Sequence, residues 1–211
     1  MLSFISYKTI SSAADLFLGQ HRLRHQEFIE RQSYEVKSFH GMEFDEYDTL
    51  ASIYLVYSED GKRVIGCSRL TPVDFGCMLK DHFPHLVEDH GLFSQPATWE
   101  GTRFCIDSQL PADKRLHILR HISVGYIELA LHLGFERIIG LMPTLILRSV
   151  FERNGIALQR LGEAYAIGDH SKIQAASIEI SQSQYASACR RTGVQSPLGL
   201  MPVVSEERKF A

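Results

Sequence analysis

The stretch Trp99-Glu100-Gly101-Thr102-Arg103-Phe104 sets a carboxylate and a guanidinium three residues apart in a run that otherwise reads as core. Charges in such a setting are seldom fully buried unless they are paired or functional. The run alternates apolar and polar residues like a half-buried strand. That predicts Glu100, Thr102 and Phe104 on one face and Gly101, Arg103 and Cys105 on the other, unless the glycine makes a bulge that re-aims them. Partners for the two charges lie upstream. Residues 34 to 48 have no clean period and end in Glu43-Phe44-Asp45-Glu46-Tyr47-Asp48, with Tyr34, Phe39, Phe44 and Tyr47 interleaved. An irregular segment of that length inside a compact domain is expected to be a functional loop or lid. Carboxylates set among aromatic faces suit a cationic small ligand. Arg24 and Phe28, four apart, share a face of the preceding helix, and Arg69 stands near the end of a strand.

Regular elements must hold these groups. A helical period runs from Ala13 to about Arg31, and Leu50–Tyr57 and Arg63–Leu70 read as a hairpin around Asp60-Gly61. Residues 73 to 95 read as a loop with short helical turns. His82, His85, Glu88 and His90 cluster there, but their spacing fits no zinc pattern, and no metal is expected. After the Glu100 strand, a long helix should start at Pro111 and stop at Gly134, followed by an apolar strand over Arg137–Met142 and a helix from Pro143 to about Arg153. Ile156–Leu161 and Ala175–Ile180 read as strands separated by a turn near Gly168-Asp169, and Ser181–Arg190 as a helix. A hairpin followed by alternating strands and helices predicts an α/β fold, one mixed sheet with helices on both faces.

At 211 residues, 45% hydrophobic and 22% charged, the chain is long enough to bury a real core in a single domain. A net charge of -3 and a pI near 6.4 give no basic footprint for nucleic acid. There is no signal-peptide apolar region and no run of membrane-spanning length, and Cys67, Cys77, Cys105 and Cys189 lack metal or redox spacing. These features predict a cytoplasmic protein with reduced cysteines.

With Arg24, Phe28, Asp45, Asp48, Arg69, Glu100 and Arg103 in view, the sequence resembles the acyl-homoserine lactone synthases, the autoinducer synthases of the LuxI type. That family carries an arginine and a phenylalanine four apart on its first helix, then a tryptophan, an Asp-x-x-Asp pair, a strand arginine and a Glu-x-x-Arg-Phe strand. The match runs over about residues 1 to 190, and Tyr34 stands where most members have tryptophan. It implies an autoinducer synthase domain over 1–190 with a GCN5-related N-acetyltransferase-like α/β/α sandwich; residues 191–211 are expected to form a loosely ordered tail.

The resemblance also implies an activity: transfer of an acyl group from acyl carrier protein or coenzyme A to the amine of S-adenosyl-L-methionine, then lactone closure with release of methylthioadenosine. Both are substrates, and no resident cofactor is implied. Glu100, Arg103, Asp45, Asp48 and Arg69 would be catalytic, with Glu100 the base that neutralises the amine, directly or through water. Arg24, Phe28, Tyr34, Asp45, Asp48 and Arg103 would hold S-adenosylmethionine, with Arg24 or Arg103 forking onto its carboxylate. Ser68, Met78, Thr102, Phe104, Leu141, Met142 and Ile146 would line an acyl slot between the Glu100 and Arg137–Met142 strands, and Arg148 and Arg153 would meet a carrier protein. Pro143 departs from the family's Ser/Thr pattern near Thr144, so no 3-oxo acyl chain is inferred. The loop Asp107–Pro111 lacks the glycines of an acetyltransferase pyrophosphate loop, which weighs against the nearest alternative, a GCN5-like acetyltransferase on another amine. A non-catalytic ligand-binding module is the other alternative.

Overall fold

The Glu100 strand lies in the middle of the molecule, and most other elements can be placed relative to it. The computed structural model describes residues 1–167 and 171–201. In chain order the elements are β1 (Leu2–Ile5), α1 (Ala14–Arg24), β2 (Ser38–Phe39), β3 (Met42–Glu43), β4 (Ile53–Ser58), β5 (Val64–Pro72), α2 (Met78–His82) and β6 (Thr98–Ile106). They continue with α3 (Ala112–Leu133), β7 (Arg137–Pro143), α4 (Thr144–Val150), β8 (Gln159–Arg160), β9 (Tyr165–Ile167), β10 (Ser171–Glu179) and α5 (Gln182–Thr192). The main sheet has the order β1-β4-β5-β6-β7-β10-β8, with β9 also paired to β10. All its pairings are antiparallel except the central one, β6 with β7. This is the mixed α/β sandwich expected from the element pattern.

Several elements differ from the sequence reading. The short apolar start at Leu2–Ile5 is an edge strand, because it pairs with β4 from Leu2 opposite Tyr57 to Ile5 opposite Tyr54. The first helix ends as α-helix at Arg24 and continues as a π-helical turn, His25–Glu30, in which Arg31 N–H reaches back to the Gln26 carbonyl. Such turns are uncommon and often sit at functional sites. The early loop contains the small hairpin β2–β3, turned at His40-Gly41 with φ of 49° and 71°, the left-handed pair that a tight hairpin needs. The turn expected near Gly168-Asp169 lies outside the described residues.

On one face α3 packs over the sheet with Ile118, Ile122, Ile127 and Leu129 fully buried, forming one core with Leu55, Leu70, Ile138, Phe151 and Tyr185. The segment from Gly193, expected to be loose, is fixed as far as Met201. The buried Glu128 carboxylate on α3 accepts from Ser196 Oγ and from the N–H groups of Leu198, Leu200 and Met201. A buried carboxylate needs such donors, and they tie this strand of backbone across the helix. On the opposite face α1 and the segment 73–95 cover two smaller cores. Among the described residues no helix is long and apolar enough to cross a membrane.

Candidate active site

The strand that carries Glu100 and Arg103 does not alternate simply. Its register against β5 shifts between Cys67 and Arg69, and Arg103 has φ of 55°. This bulge falls at Arg103 rather than at Gly101, and it corrects the facing predicted above. Glu100, Thr102 and Arg103 emerge on the side of α1 and the early loop. Gly101 and Phe104 face α3, the first with its missing Cβ against Tyr126 and the second packed on Tyr126 and Phe151. A non-glycine residue at positive φ costs about 1–3 kcal/mol, and such strain concentrates at functional sites.

Three guanidiniums and three carboxylates meet on that side. Arg24 donates from Nε to Glu43 and forks onto both oxygens of Asp48 at 2.8 Å each. Arg69 donates from Nε to Thr102 Oγ1 at 3.0 Å, grips Asp45 through both terminal nitrogens, and lies 3.0 Å from Asp48. Arg103 donates from Nε to Glu43 at 3.1 Å and sits 2.7 Å from Asp45 through Nη2. Burial pushes the Asp48 carboxyl up, but the Arg24 hydrogen bonds and the Arg24 and Arg69 charges outweigh it and hold it well below the usual carboxylate range. Burial likewise opposes charge on Arg24, and the Asp48 contact overrides it and raises its pKa.

Access separates the three arginines. The Arg24 and Arg69 side chains are completely buried, whereas Arg103 keeps 14% of its surface. Every terminal nitrogen of Arg24 is taken by Gln20, Glu43 or Asp48, so it cannot fork onto a substrate carboxylate. Asp48 is equally saturated, by Arg24, Arg69, Tyr54 and the Asp45 N–H, and does not present itself to a ligand. Arg24, Asp48 and Arg69 thus contact the other charges of the seam and are not among the residues that line the neighbouring cleft. Among the described residues Arg103 Nη1 meets only the weak acceptor Met78 Sδ, at 3.7 Å.

Arg103 and Met78 both line a cleft of about 390 Å³. The cleft exists because β6 and β7 pair only from Thr98–Glu100 to Arg137–Ile139 and then part. At the parting point Gly140 lies so close that a Cβ there would stand 2.9 Å from the Gly101 carbonyl oxygen, so this position needs glycine. Phe28, Tyr34, Met78, Thr102, Arg103, Phe104, Leu141, Met142 and Ile146 all line the cleft, which places six of the seven expected acyl-slot residues in one cavity. Ser68 is the exception. It is buried beneath the cleft, donating to the Thr102 carbonyl at 2.9 Å and bonded to the Tyr126 hydroxyl, because β5 alternates and its neighbours Cys67 and Arg69 take the α1 side. Phe28 and Tyr34 stack with ring centroids 5.9 Å apart, and the Arg103 guanidinium lies 5.8 Å from the Phe28 ring centre.

Glu100 is nearby but not in the wall. It is 1% exposed, and its two oxygens accept the Met78 and Leu79 N–H groups at 2.8 and 2.7 Å, where α2 begins. Burial pushes its carboxyl up, against these hydrogen bonds, which pull it down. Arg148 and Arg153 are exposed on α4 and just after it, and neither is among the residues that line the cleft.

The chain matches the family model described as autoinducer synthase over residues 8–187. The chain belongs to the autoinducer synthases. An acyl-homoserine-lactone synthase of Rhizobium radiobacter is 35% identical over 153 residues, 71% of this chain and 72% of that one. The solved structure of BjaI, a coenzyme A-dependent acyl-homoserine lactone synthase with S-adenosylmethionine and isopentyl-coenzyme A, matches with a TM-score of 0.82 and 27% identity over 94% of this chain and 92% of that one. A Lactobacillus plantarum protein described as an N-acetyltransferase shares only the fold, with a TM-score of 0.52 and 16% identity over 85% of this chain and 99% of that one.

Two acidic residues of this autoinducer synthase were not singled out by sequence. Glu43, completely buried, joins Arg24 to Arg103. Its signal was charge balance, since three arginines need a third acid beside Asp45 and Asp48. Glu27, also buried and lining the cleft, accepts from Ser108 N and Oγ at 2.9 Å each and from Arg31 at 2.7 Å, tying the π-helical turn to the loop between β6 and α3. No periodicity argument points to it.

Proposed function

We propose that the cleft binds S-adenosyl-L-methionine at its Arg103 end and the acyl group of a thioester in its apolar part, and that the chain makes an acyl-homoserine lactone. One observation carries the reading: a single cavity has an ionic head, Arg103 beside the stacked Phe28–Tyr34 pair, and an apolar tail from Phe104 to Ile146. S-adenosylmethionine offers a carboxylate for Arg103 Nη1 and a sulfonium for the aromatic faces. With Glu100 ionised, Glu43, Asp45, Asp48 and Glu100 outnumber Arg24, Arg69 and Arg103 by one, which favours a substrate of net positive charge.

Acylation requires the amine without its extra proton. Asp45, which keeps some exposure beside Arg103, orients the ammonium, and Glu100 takes the proton through water, since its own oxygens lie behind Met78. The amine then attacks the thioester carbonyl and the carrier thiol leaves. Held by Arg103, the substrate carboxylate next attacks the carbon beside the sulfonium, the carbon–sulfur bond breaks in line, and methylthioadenosine departs. Both steps consume substrates only, so no resident cofactor is needed. The donor thioester is carried by coenzyme A or by an acyl carrier protein, for which the exposed Arg148 and Arg153, on α4 and just after it, form a landing site. The test is direct. Purified protein given S-adenosylmethionine and acyl thioesters should release methylthioadenosine in step with lactone. Free thiol without methylthioadenosine, with another amine as acceptor, would support the acetyltransferase alternative instead.

A further inference from the structure

Three basic side chains of α3 take no part in the chemistry described so far. His117, Arg120 and His121 line an open depression of about 590 Å³, together with Asp113 and Leu116 of the same helix and residues 192–195 after α5. It shares no lining residue with the cleft, although Leu119, next to Arg120, stands in the cleft wall. Arg120 Nε is shielded from solvent and has no hydrogen-bond partner among the described residues. A shielded donor without an acceptor costs free energy, and an acceptor from outside the chain would remove that cost.

The two imidazoles beside it are oriented by the protein. His117 Nε2 meets the Tyr57 hydroxyl at 3.1 Å, His121 Nδ1 lies 2.8 Å from the His117 carbonyl oxygen, and the ring centroids are 4.1 Å apart. His117 Nδ1 and His121 Nε2 take no part in these contacts. The surrounding charge is one-sided. Asp113 is the only acid among the lining residues, Lys114 and Glu59 pair with each other at 2.7 Å, and Arg190 and Arg191 precede Thr192 in the last turn of α5. Burial lowers the His121 pKa; the His117 carbonyl pulls it up, and the His117 and Met1 ammonium charges push it further down. Positive surroundings that resist a proton on His121 favour an anion.

We propose that this depression is an anion site that takes a phosphate group, free or carried on a small metabolite, with Arg120 as its principal donor. A guanidinium, two imidazoles and the exposed Gln195 amide surround a tetrahedral oxyanion better than a planar carboxylate. Leu116 and Val194 offer the rest of a metabolite an apolar wall.

The experiment titrates inorganic phosphate, at pH 7 and matched ionic strength, into full-length wild type and Arg120→Gln while the His117 and His121 ring protons are followed by NMR. The wild-type signals should shift to saturation, and Arg120→Gln should weaken binding at least about tenfold, as expected when a charged donor is lost. The signal of His21, buried on the opposite face of the sheet, reports that the variant is folded. Adenosine monophosphate binding more tightly than phosphate assigns the site to a phosphorylated metabolite, and equal affinity assigns it to free phosphate. Acetate binding as tightly as phosphate overturns the assignment to phosphate. No saturable shift, or equal affinity in the two proteins, overturns the site. A second readout needs no variant. Sulfate, a dianion throughout the titration, should raise the His121 pKa in wild type by at least about half a unit, roughly threefold in proton affinity, because a bound anion favours the imidazolium. A His121 pKa that sulfate leaves unchanged overturns the site as well.

Discussion

Against α3 the sheet buries one continuous apolar core, whereas on the opposite face two smaller cores, one under α1 and one under the segment 73–95, are separated by a seam of charge. The first region is made of many contacts of similar weight, so each loss is local. The second is a closed circuit in which Glu43, Asp45 and Asp48 each touch two of the three arginines 24, 69 and 103. Taking so many charges out of water is costly and is offset only while every partner is present. Such a seam holds little net stability. What it provides is one rigid edge at the cleft, because Arg103 can take only the position that the buried acids allow.

The sharpest break of this comparison is Asp48→Ala. It strips Arg24 of its bidentate partner and Arg69 of its second acid while both guanidiniums stay buried. Urea denaturation should show a loss of about 3–5 kcal/mol, as for one member removed from a buried ion cluster. A methylene removed from the fully buried Ile122 on the α3 face, as Ile122→Val, should cost about 0.5–1.5 kcal/mol. A smaller loss for Asp48→Ala than for Ile122→Val would mean that the two faces do not differ in kind.

The same contrast explains which features could be read from the sequence. The α3 face was legible because it obeys simple periods: α3 from Ala112 to Leu133 and the continuous apolar β7 lie where the pattern puts them. The seam was legible in its membership only through the family resemblance, which singled out Arg24, Asp45, Asp48 and Arg69; taken alone, Arg24 and Arg69 read as solvated. It was not legible in its geometry. Period-2 alternation cannot show a bulge, so the facing of Arg103 and Phe104 came out reversed. Nor does a spacing of four say that Arg24 spends all its donors inward. Glu128 escaped for another reason: its partners, Ser196 to Met201, are backbone groups of an irregular segment that no local pattern links to α3.

Arg103 sits at the boundary between the two behaviours, and its loss should separate stability from activity. If it is removed, Glu43 keeps Arg24 and Asp45 keeps Arg69, so no acid is stranded. Arg103→Ala should therefore cost about 1 kcal/mol or less in unfolding, the scale of an ion pair that is not fully buried. Lactone formation should fall about 100- to 1,000-fold in kcat/KM, the range for loss of one preorganised donor at a reacting group. A variant that unfolds as readily as Asp48→Ala would make Arg103 part of the sealed circuit. Wild-type kinetics would move the carboxylate clamp elsewhere.

The remaining effect concerns how the seam is latched to the early loop, and it depends on pH. His21 is fully buried on α1, its Nδ1 lies 2.8 Å from the Glu43 carbonyl oxygen, and its ring stacks on Phe44 at 3.9 Å. Burial, reinforced by the Arg24 charge, lowers its pKa from the usual 6.5 to about 4, while Asp48 and the Glu43 carbonyl pull the other way. The neutral ring with its proton on Nδ1 is thus the folded form. A group whose pKa is depressed on folding supports the native state fully above pH 6.5, and that support drains away as pH falls toward 4, because the unfolded chain takes the proton first. The loss by pH 4 is about 3 kcal/mol. Glu100, whose carboxyl is pushed up, acts in the opposite sense and gains stability on acidification, so the raw pH profile mixes the two. His21→Gln removes the titration but keeps an amide N–H for the Glu43 carbonyl. The difference in unfolding free energy between wild type and this variant, measured from pH 7 to pH 4, cancels Glu100 and should fall by about 3 kcal/mol. A difference that stays flat across that range would mean that His21 does not titrate on unfolding and that the latch is insensitive to acid.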